Sequence, residues 1–236
     1  MSIIYLVRHG QASFGKPNYD ELSEKGIIQA RVLAEHLLEV NLCFDAVYAG
    51  EMVRQKDTAR EVISVYRKSG VPVPELRIAP EFNEYDSKSI FTSYLYELAE
   101  DDPSMREDLA RIYTDKKSFE RVFEKVITRW ISGNHDRPGL VTWDEFRGRV
   151  QKGIRKVMEE NGRKKKIIVF TSGGPVSAAV NMTLGISAEH SVRIAGLVAN
   201  TAITTLLYDD ERISLASFNT FSHLVLHNSG DLVTYR

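Results

Sequence analysis

The 236-residue chain is expected to fold as an α/β protein, a three-layer sandwich. Its central sheet is mostly parallel with an antiparallel edge, and a helical cap is inserted into it. Three features predict this. Short apolar runs rich in β-branched residues at 3–7, 44–48 and 167–171 read as buried parallel strands, each followed by a helical stretch. Residues 202–208 and 212–218, joined by Asp209-Asp210-Glu211, read as an antiparallel hairpin. Residues 87–141 carry helical patterning, as an insertion within one domain spanning 1–236.

The first strand ends in Arg8-His9-Gly10, where an open α/β sheet places its ligands. Arg grips phosphate oxygens bidentately. A neutral His is a competent nucleophile near pH 7. Gly lets an anion approach the main chain closely. The trio suits phosphoryl transfer, and it is equally what a strand end with a solvated Arg-His pair would show. Ser23 is the expected cap of a helix whose apolar face is Ile27, Ala30, Leu33, Ala34, Leu37 and Leu38. After the strand at 44–48, a helix is expected over 51–68, stopped by Gly70 and Pro72. Arg54 falls in its first turn, where unpaired N–H groups favour an anion. Leu76 and Ile78 suggest a short strand before the acidic segment Glu81-Phe82-Asn83-Glu84-Tyr85-Asp86.

Within the insertion, helices are expected at about 90–100, 104–114 and 117–132, the last with a stripe of Phe119, Val122, Phe123, Val126, Ile127 and Trp130. Tyr94 and Tyr96 read as packing residues. Thr142 and Glu145 fit a capping box for a helix that Gly162 closes. The run Arg163–Lys166 reads as a solvated turn into the strand at 167–171. That strand breaks into Ser172-Gly173-Gly174-Pro175, and a helix is expected from Val176.

A formal net charge of −1 gives no footprint for nucleic acid or an acidic membrane surface. No apolar run is long enough to span a bilayer, and Arg8-His9-Gly10 comes too early for a signal peptide. The lone Cys43, in an apolar stretch, reads as a buried structural thiol in a reducing compartment. A cytoplasmic protein is expected, acting on a small phosphorylated substrate or phosphate, with no nucleic-acid or membrane partner. No His/Asp/Glu cluster has ligand spacing, so neither a metal nor a cofactor is implied.

The stretch Leu6-Val7-Arg8-His9-Gly10-Gln11-Ala12 after an N-terminal strand resembles the opening of the histidine phosphatase superfamily, which includes the cofactor-dependent phosphoglycerate mutases. The D-x-L-S-x-x-G-x-x-Q-A arrangement from Asp20 to Ala30, the R-Q-x-x-T-A of Arg54, Gln55, Thr58 and Ala59, Asn200 with 201–205, and His223-Leu224 extend the likeness. It implies that His9 is phosphorylated, that Arg8 and Arg54 hold phosphate oxygens, and that an acid in the 81–86 segment protonates the leaving group. Glu84 is favoured for that acid, with Glu81 and Asp86 as alternatives.

One departure stands out. Where the family carries a second histidine, this chain has Ser172, followed by Gly173 and Gly174 as possible parts of an anion nest. Losing one donor costs about 3–4 kcal/mol of transition-state stabilisation. Ser172 and Gly173 are therefore expected to bind phosphate more weakly, with either a slowed phosphatase or a phosphate-binding protein without turnover as the outcome. Of the remaining histidines (His36, His135, His190, His223 and His227), His223 is the first to consider as a replacement. The mutases' phosphate-contacting Asn is missing, with Phe14-Gly15 in that region and Asn18 out of step. Their E-R-H-Y-G pattern is absent after Glu84, which argues against a glycolytic mutase.

Overall fold

The computed structural model describes residues 1–13, 20–227 and 231–235, apart from the side chain of Tyr96. The loop positions Phe14, Gly15 and Asn18 lie outside these residues. Among the described residues, six strands form one sheet: β1 (Ser2–Arg8), β2 (Ala46–Ala49), β3 (Leu76–Ile78), β4 (Lys166–Thr171), β5 (Ile203–Tyr208) and β6 (Ile213–Thr220). Their order is β3-β2-β4-β1-β5-β6. The first four in that row run parallel, while β5 pairs antiparallel with both β1 and β6. The expected mostly parallel sheet with an antiparallel edge is the one observed.

Period-two alternation along the central strands divides the core. Val7, Val47, Ile168 and Phe170 point toward α1 (Glu24–Glu39) and α2 (Val53–Lys68), where they meet Leu33, Leu37, Val62 and Tyr66. Ile4, Leu6, Ile167 and Val169 point the other way. There they meet α6 (Trp143–Asn161) and α7 (Gly173–Leu184) through Val150, Ile154, Val176 and Ala178. Helices thus cover both faces. The helices of 87–141 are α3 (Ser87–Asp101), α4 (Arg106–Arg111) and α5 (Lys116–Ser132). Their Ile90, Tyr94, Leu98, Val122, Val126 and Trp130 join the same apolar cluster as α6 and α7. The chain continues through α8 (Ala188–Ala195) and ends its helical part with α9 (Ser222–Leu226).

Several boundaries differ from expectation. The middle helix of 87–141 shrinks to α4, preceded by a tight turn at Pro103–Met105 that Asp102 caps by accepting from the Ser104 N–H. On α5, Phe119 is partly exposed and packs against Phe91 and Phe123 on the outer side of the stripe. Helix α7 begins three residues earlier than expected, at Gly173. Pro175 then sits in the first turn, where its missing N–H costs no intrahelical bond. Cys43 is exposed, contrary to the buried thiol expected of it. Strand β2 starts only at Ala46, so Cys43 lies on the connecting segment while its neighbour Phe44 turns inward.

Glycine has a packing role here beyond loop freedom. A Cβ on Gly10 would lie 2.5 Å from the Gly26 carbonyl oxygen, and one on Gly26 would overlap the Gln11 backbone. The loop after β1 is thereby pressed against the start of α1. Gly26→Ala should destabilise the fold by about 1–3 kcal/mol through forced backbone displacement. Urea denaturation would read this as a lower midpoint, and a variant as stable as the wild type would show that the loop can move aside.

Candidate active site

Strands β1 and β4 are in register with Arg8 opposite Thr171, so His9 and Ser172 emerge side by side at the carboxyl edge of the sheet. His9 is pinned on its main chain. Its N–H donates to the Thr171 carbonyl at 2.8 Å, and its carbonyl accepts from Asn200 Nδ2 at 2.9 Å. The Gly10 N–H donates to Thr58 Oγ1 at 3.0 Å. The imidazole is almost fully buried. Its Nδ1 lies 2.7 Å from the Gly10 carbonyl and therefore carries the proton, which leaves the Nε2 lone pair facing Arg54 Nε at 3.0 Å. Burial holds the His9 pKa well below its ordinary value, reinforced by the charges of Arg54 and then Arg8. The ring is therefore neutral and nucleophilic near pH 7, with the lone pair on the nitrogen that meets a guanidinium.

Arg54 is itself buried at the first turn of α2. Its Nη1 forms an ion pair with Asp20 at 2.7 Å, and the other Asp20 oxygen accepts from the Val53 N–H at 2.7 Å. The helix start expected to favour an anion does hold one, and it is the protein's own Asp20. Arg8 reaches the opposite way. Its Nη1 donates to the carbonyls of Val198 and Tyr235, tying the end of β1 to the segment before β5 and to the C-terminal segment. Its charge is nonetheless felt at both His9 and Glu84.

The three candidate acids part company. Glu81 pairs with Lys156 of α6 at 3.1 Å, and Asp86 caps α3 by accepting from the Ser89 N–H at 3.0 Å. Glu84 turns inward, where Oε2 accepts from the Gly174 N–H at 2.9 Å and Oε1 from the Tyr85 N–H at 3.1 Å. Desolvation is the dominant influence and raises its pKa, against the opposing pull of the Gly174 N–H, Arg54, the Tyr85 N–H and Arg8. The segment carrying it is clamped from three sides. The Phe82 carbonyl accepts from Thr171 Oγ1 at 2.8 Å and Gln55 Nε2 at 3.1 Å, and Arg149 Nη2 donates to the Asn83 carbonyl at 2.7 Å. At the start of α7 the Gly174 N–H, expected as part of a phosphate nest, is taken by the Glu84 carboxyl. Gly173 lacks a side chain for a separate reason, since a Cβ there would lie 2.6 Å from the Ala195 carbonyl oxygen.

Ser172 is buried beside these groups and its Oγ accepts from Gln55 Nε2 at 2.8 Å. His223 does not stand in for the missing imidazole. It is buried on α9, its Nε2 3.1 Å from Thr201 Oγ1 and its ring stacked on His36. Burial, with a lesser push from His36, lowers its pKa to about 4. Thr201 donates its N–H to the Arg8 carbonyl at 3.0 Å, so His223 is linked to the Arg8-His9 segment through Thr201. His190 meets Ser187 on α8, and the carbonyl of His135 accepts from Tyr94 in the cap. Among the described residues, no group of His, Cys, Asp or Glu is placed to hold a metal ion. Among the same residues, no helix is long and apolar enough to cross a membrane.

Asp20, Gln55, Thr58 and Asn200 are site residues that motif spacing shows only as matches without roles. The signal for Gln55 and Thr58 is that they are polar positions on the otherwise apolar inner face of α2, with Ala59, Val62, Ile63 and Tyr66. A polar residue on a buried stripe needs partners.

The geometry is that of an α/β protein with an imidazole, a guanidinium and a carboxyl gathered at the carboxyl edge of its sheet. The sequence matches the model of the histidine phosphatase superfamily (branch 1) over residues 4–220, and the chain belongs to that family. No curated protein matches it. Among solved structures it is similar to a mutant phosphoserine phosphatase from Entamoeba histolytica in complex with phosphoserine, with a TM-score of 0.65, 19% identity, and coverage of 95% of this chain and 100% of that one. It is also similar to a phosphoglycerate mutase from Bacillus anthracis, with a TM-score of 0.64, 18% identity and 95% coverage of each chain. A mycobacterial glucosyl-3-phosphoglycerate phosphatase gives a TM-score of 0.58 and 18% identity, covering 92% of this chain and 98% of that one. At these identities the likeness establishes the fold.

Proposed function

We propose that the protein is a phosphomonoester hydrolase working through a phosphohistidine on His9, slowed by Ser172 in the position of a second imidazole. The observation that carries this is the 3.0 Å contact of Arg54 Nε with His9 Nε2. The nucleophilic lone pair and the cation that would neutralise a phosphoryl group thus occupy the same spot. A phosphate entering there displaces the Arg54–His9 contact and takes the guanidinium onto its own oxygens, giving positioning and charge stabilisation together. In this scheme Arg8, whose Nη1 is engaged by the Val198 and Tyr235 carbonyls, contributes through its charge at His9 and Glu84.

His9 Nε2 attacks phosphorus as the bond to the leaving oxygen breaks, and Glu84 gives its proton to that oxygen. A raised pKa suits Glu84 to this, because it stays protonated to higher pH than an ordinary carboxyl. Once ionised, Glu84 takes a proton from water as the water attacks the phosphohistidine. Phosphate leaves, and both side chains return to their starting state. The helices of 87–141 are proposed as the cap over this edge, and a small phosphorylated metabolite as the substrate. The neighbour solved with phosphoserine is consistent with that size.

A second reading, a phosphate-ligand-binding protein without turnover, is favoured by one observation, the hydroxyl of Ser172 in place of an imidazole. The test is covalent trapping. Metal-free protein mixed with an aryl phosphate and quenched in denaturant should carry an acid-labile, base-stable phosphoryl group on His9 and release inorganic phosphate. Binding of phosphate with neither label nor release would favour the second reading, and transfer between substrate hydroxyls with little release would indicate a mutase.

A further inference from the structure

Beside Arg54, the next residue of α2 makes a contact that the scheme above leaves unused. Gln55 is fully buried, and its carboxamide is fixed by its surroundings. The Phe82 carbonyl, 3.1 Å away, accepts a hydrogen bond and so must face the NH2 end. The second proton of that NH2 goes to Ser172 Oγ at 2.8 Å. At the other end, Oε1 is buried with no hydrogen-bond partner. It fits there only because Gly50 has no side chain, since a Cβ would overlap it.

An apolar side chain of similar length would fill this space without leaving an acceptor orphaned. The carboxamide is offset only by its two Nε2 bonds. The Phe82 carbonyl already accepts from Thr171 Oγ1 at 2.8 Å, so the bond to Ser172 is the one with no substitute. A hydroxyl carries one proton and two lone pairs. With one lone pair filled by Gln55, the Ser172 rotor is restricted, and no described residue accepts its proton.

We infer that Gln55 is a positioning residue, which holds Ser172 so that its hydroxyl proton is presented to a phosphoryl oxygen beside His9. This rests on the phosphatase reading of the same site. Gln55 and Ser172 together then do as a pair what a second imidazole would do alone. Removing the carboxamide should disable the hydroxyl even though Ser172 is untouched.

A double-mutant cycle tests it, using Gln55→Leu, Ser172→Ala and the double variant with p-nitrophenyl phosphate as probe. Each single change should lower kcat by about 10–10²-fold, less than for a dedicated oxyanion donor because the hydroxyl is a weaker one. KM should stay within about twofold, since the donor acts on the transition state. The double should be no slower than either single. Losses that multiply, or a Gln55→Leu protein with wild-type kcat, overturn the inference. Should Gln55→Leu fail to fold, Gln55→Glu decides. Its ionised carboxylate would take the Ser172 proton, so its kcat should fall further as that group ionises, and an unchanged kcat overturns the inference.

If the wild type shows no turnover, the phosphatase reading fails, and the same cycle is read in the affinity for inorganic phosphate by calorimetry. Equal, non-multiplying losses there uphold the Gln55–Ser172 pairing. Independent losses, an unaffected Gln55→Leu, or no phosphate binding by the wild type end it.

Discussion

Arg54→Ala should lower kcat/KM for an aryl phosphate by about 10³–10⁵-fold, the range for an arginine that stabilises a transferring phosphoryl group. The size follows from how much converges on this one side chain. Arg54 touches the nucleophilic nitrogen of His9 at 3.0 Å, is nearly inaccessible to water, and is oriented by Asp20 at 2.7 Å. A preorganised, desolvated cation is worth far more than a surface one.

The same substitution should move both limbs of the pH–rate profile upward. His9 works as the neutral imidazole, so activity falls as pH drops through its pKa. After burial, the Arg54 charge is the next largest cause holding that pKa down, and its loss raises the acid limb. Glu84 works protonated, so activity falls as pH rises through its pKa. Arg54 pulls that pKa down against desolvation, and its loss raises the alkaline limb as well. Arg54→Lys keeps a charge without the planar fork, so it should restore the limbs more fully than the rate. A kcat/KM within tenfold of wild type in a folded Arg54→Ala protein would refute the role given to Arg54.

The second large effect is a gain. Ser172→His should raise kcat by about 10²–10³-fold, the value of one preorganised donor to an anionic transition state. Register supports it, because position 172 leaves β4 beside His9, one residue beyond the Arg8–Thr171 pair. Packing resists it. Ser172 is 1% exposed with the Gln55 carboxamide against its oxygen, and a larger side chain in so filled a site costs about 1–3 kcal/mol. The full gain is therefore expected when Gln55→Ala makes room, and a smaller one from Ser172→His alone. Steady-state rates with thermal unfolding midpoints for the single and double variants separate the two contributions. Folded proteins with no gain in either would show a pocket reshaped for binding without turnover.

Much of this molecule is legible in order along the chain. The β-branched runs at 3–7 and 167–171 declare strands, and Thr142 with Glu145 forms the capping box that their spacing predicts. The Arg8-His9-Gly10 motif marks the sheet edge, and Arg54 at a helix start meets His9 as its place in the pattern suggests. These are short-range facts, because periodicity, capping and the end of a strand depend on neighbours within a turn or two.

What the chain order could not show is who faces whom across the sheet. Glu81, Glu84 and Asp86 lie within six residues of one another; Asp86 caps the helix that follows it, and only the packing of α6 and α7 assigns Glu81 to Lys156 and Glu84 to the site. Only the assembled sheet brings Gln55 to Ser172 and presses Gly10 against Gly26. It also turns Cys43 outward and sends His223 to Thr201. Local pattern sets each element's type and inner face from its own residues. Partners far apart in the chain meet only once strand order and register exist, and the desolvation that makes His9 neutral and Glu84 reluctant to ionise belongs to that assembled interior.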